Sequence, residues 1–193
     1  MNDIKEQLES HISLMNNIQD DDSFLSIVNE AMNAIIDCYR ANKKVVLFGC
    51  GGSAADSQHI AAEFVNRFYF NRPCLPAVAL TTDTSIITAI ANDFDFNDVY
   101  SRQVEGIVAE NDVVIGISTS GMSDCVLNGL SAAKAKNATT IGFTGGSGGK
   151  MASVCDILIN VPSSSTPRIQ EAHITIAHII CAGVESEIFN ERV

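Results

Sequence analysis

The sequence predicts an α/β protein: a three-layer α-β-α sandwich with a five-stranded parallel sheet, a helix pair before it and a long helix after it. Two observations carry this expectation. Beyond residue 43, short apolar runs alternate with stretches of helical periodicity, the pattern of right-handed βαβ crossovers over a sheet covered on both faces. Two of the apolar runs also end in glycine- and serine-rich turns that lead straight into a helical pattern. In open parallel sheets that edge, the carboxyl end of the strands, is where ligands bind.

The elements follow in order. In residues 3–18, Ile4, Leu8, His11, Ile12 and Met15 share one helical face. In residues 23–41, Phe24, Ile27, Val28, Ala31, Ile35 and Cys38 recur at helical spacing. Asp20-Asp21-Asp22-Ser23 between them is rich in helix-capping residues. Strands are expected at 44–49, 76–81, 112–117, 138–143 and 156–161, and helices at 54–68, 84–90, 98–109, 123–136 and 147–154. Pro162 and Pro167 bracket Ser163-Ser164-Ser165, and one helix is expected from about 166 to 189. With no repeat, linker or low-complexity tract, residues 1–193 read as one domain, with 1–42 as oligomerisation helices and 43–193 as sheet core and C-terminal helix. The terminal helices are more apolar than a small sheet needs, which predicts a homo-oligomer.

Composition narrows the function classes. A hydrophobic fraction of 46% with 18% charged residues is that of a globular chain. The net charge of −11 and the absence of a Lys/Arg run argue against nucleic acid or an anionic membrane as partner, while local capture of a small phosphate remains open. The six cysteines, Cys38, Cys50, Cys74, Cys125, Cys155 and Cys181, form no C-x-x-C motif, so reduced and mostly buried thiols are expected. Met1-Asn2-Asp3-Ile4-Lys5-Glu6-Gln7-Leu8 is polar and lacks an apolar signal core. No uncharged run approaches bilayer length, and a cytoplasmic protein is expected.

The first turn is Gly49-Cys50-Gly51-Gly52-Ser53-Ala54. It satisfies the loose G-x-G-x-x-A fingerprint but lacks an acidic residue about twenty positions on, so a nicotinamide enzyme is the weaker reading. The second is Ser118-Thr119-Ser120-Gly121-Met122-Ser123, four hydroxyls at the end of a strand. Free amides at the helix starts and these hydroxyls suit an anion. Thr144–Gly149 reads as a third anion turn or, equally well, as a plain tight turn, and is left out of the site. His59 and Glu63 stand at i and i+4 on the helix after the first turn, and Gln170 and His178 share a similar face of the last helix, from which His173 departs. Two such pairs make a candidate nitrogen and oxygen site suited to zinc, although an amide ligand is unusual. In Ala91-Asn92-Asp93, Asp93 reads equally as a holder of a sugar hydroxyl or a catalytic proton and as part of an Asx-capped turn.

Together these segments resemble a sugar isomerase (SIS) domain of flavodoxin-like topology, and more narrowly the phosphoheptose isomerases. The resemblance spans nearly the whole chain, through G-C-G-G-S-A-A-D-S-Q-H-I-A-A-E-F (49–64), N-R-P (71–73), A-N-D-F-D-F-N-D (91–98), G-I-S-T-S-G-M-S (116–123) and R-I-Q-E-A-H-I-T-I-A-H (168–178). It implies conversion of D-sedoheptulose 7-phosphate to D-glycero-D-manno-heptose 7-phosphate through an enediol, the first step of bacterial heptose synthesis. It also implies one zinc ion per subunit on His59, Glu63, Gln170 and His178, with Glu63 and His178 as catalytic base and acid. Phosphate contacts fall to Ser118, Thr119, Ser120 and Ser123, and other substrate contacts to Cys50, Gly51, Gly52, Ser53, Glu63, Asn92, Asp93 and Gln170. A homotetramer with sites between subunits follows from the same resemblance. Cys50 and Met122 stand where the family usually has Asn, and Thr166-Pro167 replaces an Asp of some members. The rival reading is a non-catalytic SIS adaptor that assists a replication initiator, a relative that shares the turns but lacks the Glu63/His178 pair; an isomerase of another phosphosugar is closer still.

Overall fold

Alternation along the strands sorts the core into two layers in this computed structural model, which describes residues 3–189. In β1 (Val45–Gly49), Val45 and Leu47 join one apolar cluster while Val46 and Phe48 join the other, as the period of two requires. β3 (Val113–Ile117) repeats this, with Val113, Ile115 and Ile117 on the first side and Val114 on the second. Leu47 and Phe48 are both 0% exposed, and burial of each contributes about 2 kcal/mol. With β2 (Ala77–Ala79), β4 (Thr139–Gly145) and β5 (Ile157–Val161) they form a parallel sheet of order β2-β1-β3-β4-β5.

On the first face lie α1 (Ile4–Gln19), α2 (Asp22–Arg40), α3 (Gly52–Val65) and α7 (Thr166–Phe189), anchored by residues such as Ile18, Ile35, Phe64 and Ile176. On the second lie α4 (Thr84–Asp93), α5 (Ser101–Ile107) and α6 (Asp124–Ala135), anchored by Ile90, Val104 and Leu130. The three layers and five parallel strands agree with the expectation. Among the described residues, α7 alone is long and apolar enough to cross a membrane, yet Ile169, Ile176, Ile180 and Val184 are buried in the first core cluster. Met1 and Asn2, in the N-terminal stretch read above, lie outside the described residues.

Three boundaries and one buried face differ from the expectation for physical reasons. The helix expected at 98–109 is a 3-10 turn, Phe96–Asp98, followed by α5. The break falls at Val99 and Tyr100, which turn into the second core and are 1% and 4% exposed. The helix expected at 147–154 is the 3-10 segment Gly149–Ser153, because Gly146, Gly148 and Gly149 all adopt positive φ and no α-turn starts from such backbone. α4 continues through Asp93, so Asn92 and Asp93 are helical instead of forming a turn. On α1 the stripe Ile4, Leu8 and Ile12 is 79%, 60% and 55% exposed, while Leu14 and Ile18 carry the packing.

Candidate active site

The strand order changes direction at β1, and the two crossovers there go to opposite faces: α3 packs in the first cluster, α6 in the second. A crevice therefore opens between the ends of β1 and β3, the switch point at which such sheets bind ligands. Gly49 and Ile117 are paired in register at this spot, so both turns found in the sequence emerge side by side.

The helix starts here are left open. α1, α2 and α4 are capped by the carboxylates of Asp3, Asp21 and Asp83, which accept from backbone N–H groups. The N-caps of α3 and α6, Gly51 and Ser123, make no such side-chain bond. Amides at the first turns of α3 and α6 are thus free to meet an anion at the positive ends of two dipoles. Gly51 has φ +61, a value that lets the chain turn sharply into α3 without Cβ strain.

The second turn is braced from within. Ser118 Oγ lies 3.0 Å from Ser123 Oγ, Gly121 N donates to Ser118 O at 3.0 Å, and Met122 N donates to Ser120 Oγ at 3.2 Å. Thr119 and Ser120 line an open cavity of about 230 Å³ together with Gly145, Ser147, Ser163 and Thr166. The glycine turn after β4, excluded from the site on sequence grounds, therefore shares this cavity. Ser53, in the first turn of α3, is buried, whereas Gly51 and Gly52 are exposed.

His59, Glu63 and His178 converge. His59 Nε2 is 2.8 Å from His178 Nε2 and 3.6 Å from Glu63 Oε1, and one ligand atom from each lies within 4.8 Å of the others. The two imidazoles meet edge to face, with ring centroids 5.0 Å apart. Two ring nitrogens and a carboxylate oxygen at this spacing suit a borderline divalent cation, so the residues present fit a metal. Gln170 lies two turns before His178 on α7, and its Nε2 sits where a Cβ at Gly52 would be. It therefore joins α7 to the first turn. His173 does point elsewhere: it is 1% exposed, with Nε2 3.0 Å from Thr144 O, and burial lowers its pKa to about 4. Asn92 and Asp93 are exposed on the last turn of α4, where Asn92 Nδ2 donates to Asp93 Oδ1 at 2.8 Å.

Two features escape the sequence reading. Asp56 lies one turn before His59, and its buried Oδ2 has no hydrogen-bond partner among the described residues. Burial raises its carboxyl above the usual range, against the pull of His59. The row 56-59-63 at i, i+3, i+7 was the available signal. The second is Arg72, whose Nη atoms donate to Phe64 O at 2.6 Å and Glu63 O at 2.7 Å while Nε donates to Glu185 Oε1 at 2.8 Å.

The SIS domain family matches residues 9–145. The chain belongs to this family. It is 50% identical to the phosphoheptose isomerase of Aneurinibacillus thermoaerophilus over 193 residues, covering 100% of this chain and 98% of that protein. The structure of phosphoheptose isomerase from Neisseria gonorrhoeae superposes with a TM-score of 0.89 at 38% identity, covering 95% of this chain and 97% of the other. That from Francisella tularensis gives 0.91 at 32% identity, covering 95% and 96%.

Proposed function

We propose that this chain is a phosphoheptose isomerase, converting D-sedoheptulose 7-phosphate to D-glycero-D-manno-heptose 7-phosphate as the first step of heptose synthesis. One observation carries the reading: Glu63 and His178, from different helices, come together on α3 and α7, and α3 is one of the two helices whose starts are left open for an anion. Relatives half identical along the full length bear the same name.

The phosphate of the open-chain ketose is seated by the amides and hydroxyls of Ser118, Thr119, Ser120 and Ser123. His59 follows Gly52 by seven residues, about 10 Å along α3, a span that an extended seven-carbon chain bridges. The carbonyl end then lies at Glu63 and His178, with Ser53, Gln170, Asn92 and Asp93 as hydroxyl contacts and Cys50, Gly51 and Gly52 shaping the turn. Glu63 removes the proton from C1, giving a cis-enediol, exchanges it with solvent and delivers a proton to C2, while His178 moves a proton between the two oxygens. His59, Glu63 and His178 would hold a zinc ion, with Gln170 joining as fourth ligand on swinging away from Gly52; the ion when bound supplies charge stabilisation at the carbonyl oxygen. The reading includes a homotetramer in the cytoplasm, and the exposed Ile4-Leu8-Ile12 stripe supports self-association. The adaptor reading is disfavoured because the acid/base pair is present and adjoining.

Incubation with sedoheptulose 7-phosphate and chromatographic resolution of the aldose product tests the function. Solvent deuterium should enter C2 of the product. Absence of aldose with sedoheptulose 7-phosphate, together with turnover of a different ketose phosphate, would move the assignment to another phosphosugar.

A further inference from the structure

Two thiols meet at the switch point. Cys50 follows β1 directly, and Cys125 is the second residue of α6. Their Sγ atoms are 3.2 Å apart, although 75 residues separate them in sequence. Cys50 is half-buried at the rim of the crevice, and Cys125 is 4% exposed beneath it. The other four cysteines are free as well, and no other pair among the described residues is in such contact. The turn after β1 and the start of α6 are two of the elements that seat the substrate, so a bond between these sulfurs would tie together parts that must adjust to a ligand.

We propose that Cys50 and Cys125 form a reversible redox switch, in which a hydroperoxide converts the pair to a disulfide that closes the substrate crevice. Cys50 is the attacking thiol: it is the more accessible, and the hydrogen bond from Cys125 lowers its pKa to about 7, which favours the nucleophilic thiolate. The Cys50 thiolate attacks the peroxide O–O bond, taking one oxygen as sulfenic acid while the other departs as an alcohol or water. The Cys125 thiol then attacks the Cys50 sulfur and expels water, forming the S–S bond. Overall, two thiols lose two protons and two electrons, and the hydroperoxide is reduced to alcohol and water. Closing the sulfurs to about 2.05 Å requires both side chains to move, and displacing a binding turn by about 1 Å can cost about 100-fold in rate. A dithiol reductant reverses the change.

The test uses the full chain treated with hydrogen peroxide and read first by mass, so that it stands whatever the substrate proves to be. Oxidation should remove two of the six thiols, lower the intact mass by about 2 Da in keeping with disulfide formation, and yield a peptide linking Cys50 to Cys125 on non-reducing digestion. Sedoheptulose 7-phosphate turnover should fall about 100-fold and return with dithiothreitol. Cys125→Ser, its turnover compared only with that of its own reduced form, should form no link. Its Cys50 should react with a sulfenic-acid probe, and its inactivation at higher peroxide should resist dithiothreitol. Cys50→Ser, read by thiol count alone, should leave Cys125 reduced. A linked peptide elsewhere, two thiols oxidised separately, or dithiothreitol-reversible inactivation persisting in Cys125→Ser would each overturn the proposal.

Discussion

Two charged clusters tie α3 to α7, and they are built on opposite plans. At the C-terminal end of α3, Arg72 and Glu185 have side chains 2% and 1% exposed. Glu185 accepts from Phe68 N at 2.8 Å, Tyr69 N at 2.7 Å and Arg72 Nε at 2.8 Å. Burial alone would raise its carboxyl, but these bonds outweigh burial and hold it below the usual range. The His59–Glu63–His178 cluster, by contrast, leaves the side chains of His59 and Glu63 48% and 21% exposed. The closed cluster positions the open one, because Arg72 grips the carbonyls of Glu63 and Phe64 at the end of the same helix. One set of groups is satisfied so that its neighbour can stay reactive.

That contrast is broken most sharply at Glu63. Glu63→Gln should lower kcat by about 1,000-fold, the scale of lost general-base catalysis, while substrate binding by calorimetry and the urea midpoint stay near wild type. Near-normal turnover would remove Glu63 from the chemistry. The closed cluster should behave the other way. Glu185→Ala leaves Arg72 buried and unpaired, and should cost about 3–5 kcal/mol in urea unfolding; the pair Arg72→Met with Glu185→Leu should recover part of that. If Glu185→Ala unfolds like wild type, the pair is not the anchor described here.

Acid should act through a third group. His173 has its pKa lowered to about 4 by burial, so between that value and the unfolded pKa of about 6.5 the unfolded chain binds the extra proton. Its contribution is intact above pH 6.5 and falls progressively as pH drops toward 4, by about 3 kcal/mol at most. The loss should be smaller in His173→Leu, measured by urea unfolding at pH 7 and pH 4.5; parallel losses in both proteins would exonerate His173. The smallest effect on the subunit fold belongs to α1. Leu8→Glu should change subunit stability by no more than about 0.5 kcal/mol, yet should shift the sedimentation coefficient to a smaller species.

Local signals made much of this legible. Period-two and helical patterns found the five strands and the layers, and the glycine and serine turns found the switch point because small residues are needed where strands end at a ligand. The i, i+4 spacing of His59 and Glu63 placed them on one face, and Gln170 and His178 parted from His173 as eight residues of helix demand. What stayed hidden depends on distant partners. Arg72 and Glu185 are 113 residues apart, so no window of sequence pairs them. Tyr100 breaks a helical pattern because its hydroxyl donates to Gly49 O beneath the first turn. The glycine turn after β4 was ambiguous since its role comes from facing Thr119 and Ser120 across a cavity, not from its own composition.

Neighbouring positions in the first turn have opposite prospects in a mutagenesis library. At 52 an added side chain would meet the Gln170 amide, the far end of a flexible side chain, so randomisation there would displace Gln170 before it disturbed the turn. At 51 there is empty space but a backbone angle of φ +61 that side-chain-bearing residues rarely adopt. Met122, 48% exposed on the other rim, is free of both constraints, and diversification aimed at new sugars should begin there.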